Sequence, residues 1–254
     1  MQTAIVSLLS VTALAYLGIA AMLYTTQRSL LYVPTPESSG YGAESVSIHS
    51  DGESLKVWRL NGGHDRAIIY FGGNAEQVSA NVPMFADIFG NATVYLVNYR
   101  GYGGSSGSPT EQGLYADAIA VYDHLAGQHD TVAVIGRSLG TGVATYLATV
   151  RDVDRIVLVT PYDSIERVAA RHYPIFPVSL FLKDKYPSIE RAEDIDAPTL
   201  VLVAEDDQVV PREHAESLVL AFGDGVVQMV VLEDTTHNTI GASPAYPVLL
   251  EEFL

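Results

Sequence analysis

Apolar residues follow two periods along this chain. Ser45–Ser50 and Leu55–Leu60 alternate polar and apolar positions around Asp51 and Gly52, which predicts an antiparallel hairpin. Six shorter, more continuously apolar runs follow at 67–71, 93–97, 131–135, 155–159, 199–203 and 227–232. Their length and β-branched content predict buried strands. Helical periodicity fills most of the gaps, over 76–89, 110–126, 139–150, 163–171 and 211–222, and 244–254 closes the chain. Strands and helices in alternation predict an α/β fold: an eight-stranded, mostly parallel sheet with helices on both faces. No internal repeat or low-complexity tract interrupts the pattern.

The N-terminal stretch is of another kind. Thr3–Tyr24 is a run of 22 uncharged, mostly apolar residues. As a helix it would be about 33 Å long, enough for a hydrocarbon core of about 30 Å. A cleaved signal segment is the first alternative, although its apolar region is usually shorter and its start basic. A buried helix is the second, and it would leave an all-apolar cylinder to cover. A retained transmembrane anchor over residues 1–27 is the favoured expectation, with a catalytic domain over 28–254. Ser29–Gly42, with Pro34 and Pro36, is expected to be an extended connection. Arg28 follows the apolar run, and the positive-inside rule then favours a catalytic domain on the cytoplasmic face, leaving the side of the membrane open.

Charge narrows the partners. Fourteen basic against thirty acidic residues give a net charge of −16, and residues 1–27 carry none of it. Such a surface repels phosphate backbones, so no nucleic acid partner is expected. The chain has no cysteine, which excludes disulfides, thiolate metal sites and a cysteine nucleophile. No metal-binding motif is present, and neither a metal nor a cofactor is expected.

The loops at the carboxyl ends of the predicted strands carry the chemistry, as an open parallel sheet requires. Gly136-Arg137-Ser138-Leu139-Gly140 matches G-x-S-x-G between a strand and a helix, a turn that lifts a serine hydroxyl above the sheet in a strained conformation. A serine nucleophile needs a base and a carboxylate to orient it. Of seven histidines, only His237 lies in a loop after the last predicted strand. Glu205, Asp206 and Asp207 compete for the acid. Asp207 is favoured, one turn before the helix that Pro211 starts. The oxyanion donors are expected to be the backbone N–H of Leu139 and a donor from the loop after Phe71, at Asn74. Glycines 72 and 73 let that loop approach substrate closely.

These motifs together resemble the α/β-hydrolase superfamily, in particular its small membrane-tethered serine hydrolases, the branch that includes protein depalmitoylases and small bacterial esterases. The resemblance runs from Gln27 to the C-terminus. It rests on Gln27-Arg28-Ser29-Leu30 ahead of Tyr32, Pro34 and Pro36, on Gly73-Asn74-Ala75, on Asn98-Tyr99-Arg100-Gly101-Tyr102-Gly103, on Gly136–Gly140, on Asp207–Pro211 and on His237-Asn238. It implies Ser138 as nucleophile, Asp207 as acid and His237 as base. The family's usual His-Gly-Asn-Ala-Gly reads Gly72-Gly73-Asn74-Ala75-Glu76 here, so a side chain that often braces the oxyanion loop is missing. Glu205 stands where glycine is common.

A cap is expected at about 161–198, with a short, mostly apolar stretch from His172 to Leu182. Its Phe176 and Phe181, with Gly73 and Arg137, are the expected substrate-binding residues, suited to an acyl chain. The expected reaction is hydrolysis of a carboxylic ester or thioester through an acyl-enzyme, on a small or lipid-like substrate. Two alternatives stand beside it. One is an aminopeptidase-like activity, with Asp184, Glu190, Glu193 or Asp194 holding an α-amine. The other is an inactive, membrane-tethered binding protein.

Overall fold

Asp51 and Gly52 both adopt positive φ, 47° and 82°, in the computed structural model, which describes residues 2–254. A two-residue hairpin turn demands that left-handed pair. It joins β1 (Glu44–Ser50) to β2 (Glu53–Leu60), which pair antiparallel with Val46 opposite Val57. The remaining strands are β3 (Arg66–Phe71), β4 (Thr93–Val97), β5 (Thr131–Arg137), β6 (Ile156–Val159), β7 (Thr199–Asp206) and β8 (Val227–Thr236). They form one sheet in the order β1-β2-β4-β3-β5-β6-β7-β8, parallel from β4 onward. The expected eight-stranded sheet is present.

Strand order reverses around β3, where the chain goes out to β4 and then returns across it to β5. Loops leaving neighbouring strands at such a point diverge and open a crevice. Phe71 at the end of β3 pairs with Gly136 near the end of β5, so the loops beyond them are neighbours.

The helices are α1 (Gln2–Leu31), α2 (Val82–Ile88), α3 (Glu111–Ala126), α4 (Leu139–Val150), α5 (Ile165–His172), α6 (Val178–Phe181), α7 (Arg212–Val219) and α8 (Ala245–Phe253). Side chains alternate across the sheet as strand geometry requires. Ile69 and Phe71 join a core with Leu114 of α3 and Val143 of α4. Ile68 and Tyr70 join a second core with Phe85 of α2 and Leu250 of α8.

Four elements differ from expectation. The helix expected over 76–89 is a 3₁₀ turn (Val78–Asn81) followed by α2, with Pro83 in its first turn. Glu76 is held in the preceding loop by its own hydrogen bonds. β7 and β8 run past their apolar stretches to a pair between Asp206 and Thr236, because backbone pairing continues after the hydrophobic pattern ends. The N-terminal helix continues through Arg28 to Leu31, so Ser29–Leu31 are helical rather than extended. Pro34 then prevents further continuation.

α1 is long and apolar enough to cross a membrane, and none of its residues is buried against the domain. Ser10, Thr12, Thr25 and Thr26 each donate a hydroxyl to a carbonyl one turn back. These polar groups are thus satisfied within the helix, as hydrocarbon surroundings require.

Candidate active site

Ser138 stands between β5 and α4 with φ 47° and ψ −113°, a conformation that carries strain for a residue with a side chain. A side chain at Gly140 would strike the Phe71 carbonyl, and one at Gly136 would strike the Gly140 carbonyl. The sharp turn therefore admits only glycine at both flanks.

Oγ of Ser138 lies 2.9 Å from Nε2 of His237, and Nδ1 of that ring lies 2.8 Å from Oδ2 of Asp207. A carboxylate only accepts, so it selects the tautomer with hydrogen on Nδ1 and leaves Nε2 to accept from the serine. The other Asp207 oxygen accepts from the backbone N–H groups of Val209 and Val210, at 2.9 and 2.8 Å. Asp207 and His237 are both buried. Their separations in sequence are 99 residues for Ser138 and His237 and 30 for Asp207 and His237. Strand ends bring them together: His237 is the first residue past β8 and Asp207 the first past β7.

The two competing acids are turned elsewhere. Glu205 and Asp206 are exposed and still within β7. Glu205 accepts from the backbone N–H of Asp234, and Asp206 from the Gln208 amide.

The loop after β3 lies against the serine. A Cβ built on Gly73 would sit 3.6 Å from Cβ of Ser138. Oδ1 of Asn74 accepts from the N–H of Val33 at 2.8 Å, the N–H of Ala75 at 3.0 Å and the Tyr102 hydroxyl at 2.9 Å. The Asn74 side chain is thus spent on holding the loop, which leaves its backbone N–H as the donor to consider. Among the described residues, neither that N–H nor the N–H of Leu139 has a protein acceptor. The Val33 bond also ties the chain just after α1 to this loop.

The brace that the sequence lacks in histidine is supplied by Glu76. Its Oε2 accepts from the Gly73 N–H at 2.6 Å, and its Oε1 from the Tyr70 hydroxyl at 2.6 Å and the Asn81 amide at 2.7 Å. Arg137 lies 3.4 Å from the same carboxylate and also reaches the Asn238 carbonyl. Arg137 was expected at the substrate. It is instead directed at Glu76, linking the loop after β3, the serine turn and the histidine loop. Burial pulls its guanidinium pKa down, but Glu76 and nearby tyrosines outweigh this and hold it above the ordinary value. Burial also pushes Tyr70, Tyr99 and Tyr102 up, so all three remain donors. Tyr99 donates to the Gly72 carbonyl at 2.8 Å. Sequence reasoning missed these roles, although an acid in place of a loop glycine and an arginine beside the serine were both visible.

Phe176 and Phe181 are not brought to the serine. Phe176 stacks on Tyr16 and Phe181 meets Tyr24 edge-on, both on α1. They line a 260 Å³ groove between α1 and the α5–α6 segment whose walls include none of Ser138, Asp207 and His237. Asp184, one of the acids an amine-binding cap would need, is buried and paired with Arg28 at 2.8 Å.

The chain is similar to several known proteins. An uncharacterized protein of Mycobacterium tuberculosis is 36% identical over 244 residues, covering 90% of this chain and 86% of its own. Lysophosphatidylserine lipase ABHD12 of Mus musculus is 34% identical over 190 residues, covering 63% of this chain and 48% of its own. An esterase from Pyrococcus furiosus, Pf2001, superposes with a TM-score of 0.69 at 19% identity, over 87% of this chain and 98% of its own. Residues 67–181, from β3 through the serine turn to α6, match the model of the alpha/beta hydrolase fold. With that match and the reversed strand order around β3, the chain belongs to the α/β-hydrolase superfamily.

Proposed function

We propose that this protein is a membrane-anchored serine hydrolase that cleaves carboxylic ester or thioester bonds. The observation that carries the reading is the continuous Ser138–His237–Asp207 hydrogen-bond chain, at 2.9 and 2.8 Å, at the strained turn. His237 takes the proton as Ser138 Oγ attacks the acyl carbonyl, and Asp207 stabilises the imidazolium. The backbone N–H groups of Leu139 and Asn74 receive the tetrahedral oxyanion. His237 then gives its proton to the leaving group, and water releases the acyl group from Ser138 by the same steps. Gly73 keeps the oxyanion loop close to the serine.

Lipid-borne acyl esters are the favoured substrates. Two observations support this: α1 has the length and apolarity of an anchor, and the mouse relative is a lysophosphatidylserine lipase. This chain spans about half of that relative's length. Of the acids an aminopeptidase-like cap would use, Asp184 is disfavoured because Arg28 and the Glu111 N–H already occupy it. An inactive binding protein would have no use for the strain at Ser138.

A fluorophosphonate probe and a p-nitrophenyl ester series of rising acyl length test the proposal. The native chain is expected to label and to turn over at least one ester, and Ser138→Ala to do neither. Equal behaviour of the two proteins would reject it.

A further inference from the structure

The cap and the anchor helix lie side by side over a long distance. At the domain end, Tyr32 and Tyr186 share a hydrogen bond of 2.9 Å, and Arg28 pairs with Asp184. Gln27 accepts from the N–H of Lys183 at 2.7 Å and donates to the Phe181 carbonyl at 3.2 Å. Farther out, Tyr24 meets Phe181. Farthest out, the Tyr16 hydroxyl donates to the Ile175 carbonyl at 3.0 Å, and its ring stacks on Phe176 with centroids 5.1 Å apart. Tyr16 is eight residues nearer the N-terminus than Tyr24, roughly 12 Å along the helix axis.

That distance conflicts with keeping the cap in water. If the membrane began beyond the Tyr16 contact, the exposed apolar residues Leu17, Ile19, Met22 and Tyr24 of α1 would be left in water. If instead Thr3–Tyr24 spans the core, Ile175 and Phe176 lie about 12 Å inside it. The cap's composition agrees with the second arrangement. Tyr173–Leu182 is ten residues without a charge, in a chain of net charge −16. Phe176 and Val178 turn toward α1, while Ile175, Leu180 and Phe181 stay 71%, 77% and 52% exposed. Charge returns at both ends of the stretch, with Arg171 paired to Glu213 before it and, after it, Lys183 over the Tyr24 ring and Lys185 paired to Glu166.

We infer that the cap segment Tyr173–Leu182 inserts into the same membrane leaflet as the adjoining half of α1, with Ile175 and Leu180 in contact with lipid acyl chains. The inference rests on the reading of α1 as a membrane anchor. The surface that covers the cap's exposed apolar residues is therefore the leaflet itself.

The chain has no cysteine, so single cysteines can be placed in the full-length protein at Ile175→Cys, Leu180→Cys, Leu9→Cys and Gln128→Cys. Gln128 is exposed in the turn before β5, at the opposite end of the sheet from the serine, and serves as the aqueous reference. Each is labelled with an environment-sensitive fluorophore and reconstituted in phosphatidylcholine vesicles. Quenching is read with a brominated-chain lipid and with aqueous iodide. Labels at 175, 180 and 9 are expected to be quenched several-fold more by the lipid than the label at 128, and to be protected from iodide. If position 9 is lipid-quenched while 175 and 180 respond to iodide, the anchor stands and the inserted cap is overturned. If position 9 also responds to iodide, the anchor reading fails and takes this inference with it. Shielding of 175 and 180 from both quenchers would put a second copy of the chain on the cap, and would overturn it as well.

Discussion

The backbone N–H of Gly73 donates to the Glu76 carboxylate at 2.6 Å, three residues along the same loop. Tyr70, Asn81 and Arg137 converge on that carboxylate from the strand before, the helix after and the serine turn. The loop that touches Ser138 is therefore held by a side chain from within itself. Stripping one partner from a buried network of this kind costs roughly 1–3 kcal/mol.

Glu76→Ala is accordingly expected to lower kcat by roughly 10- to 100-fold with a much smaller change in KM, because a displaced oxyanion donor matters most in the transition state. Glu76→Gln keeps one acceptor and is expected to fall between the two. Steady-state kinetics on the best p-nitrophenyl ester decide it. An unchanged kcat in Glu76→Ala would remove Glu76 from the role of positioning residue.

Asp207 and Asp206 are adjacent in sequence but differ in what they touch. Asp207→Asn loses the acceptor that selects the His237 tautomer, and a loss in kcat on the order of 10⁴-fold is expected. Asp206→Asn removes only a bond to the exposed Gln208 side chain and should leave kcat near its starting value. The reverse pattern would reassign the acid.

Ser138 holds φ 47°, which glycine adopts freely. Ser138→Gly should therefore be inactive yet more stable than Ser138→Ala by up to about 1 kcal/mol. Urea unfolding of the two variants measures the difference. A less stable glycine variant would argue against strain at this turn.

Asp163 lies between the elements that carry the cap and the acid loop. It accepts from Nδ1 of His214 at 2.8 Å and pairs with Arg167 at 3.0 Å. Burial pushes its carboxyl up, but these hydrogen bonds outweigh burial and hold it below the ordinary range. A folded value below the unfolded one adds stability above the ordinary value of about 3.9, and that stability is lost as pH falls through the depressed value. Asp163→Asn is expected to lower stability at neutral pH and to flatten the acid limb below about pH 4. Denaturation midpoints across pH test this, and parallel curves for the two proteins would contradict it.

Much of the fold was legible because strand and helix periods are local properties. The six apolar runs, the Asp51-Gly52 turn and the helix over 139–150 depend on neighbours a few residues away. The turn at Ser138 was legible for the same reason, since its glycines and its flanking strand and helix are contiguous. The segment 76–89 departs from a single helix because the Glu76 carboxylate accepts from the Gly73 N–H, the Tyr70 hydroxyl and the Asn81 amide, which hold it in the loop before α2. Apolar periodicity does not register such side-chain bonds.

By itself, the sequence determined an α/β chain with an apolar leader, a serine turn, and acids and a histidine after later strands. Only the tertiary structure decided that β3 lies between β4 and β5, which sets the loop after β3 beside the serine. It also decided that Asp207 rather than its neighbours meets His237, since β7 continues through Asp206 and ends one residue before the aspartate that turns inward. Arg137 was turned from substrate to Glu76, and Phe176 and Phe181 from the serine to α1. In each case the reason is the same. Residue type and spacing limit what a side chain can do, but its partner comes from a distant segment, and packing of the whole sheet and cap selects which one arrives.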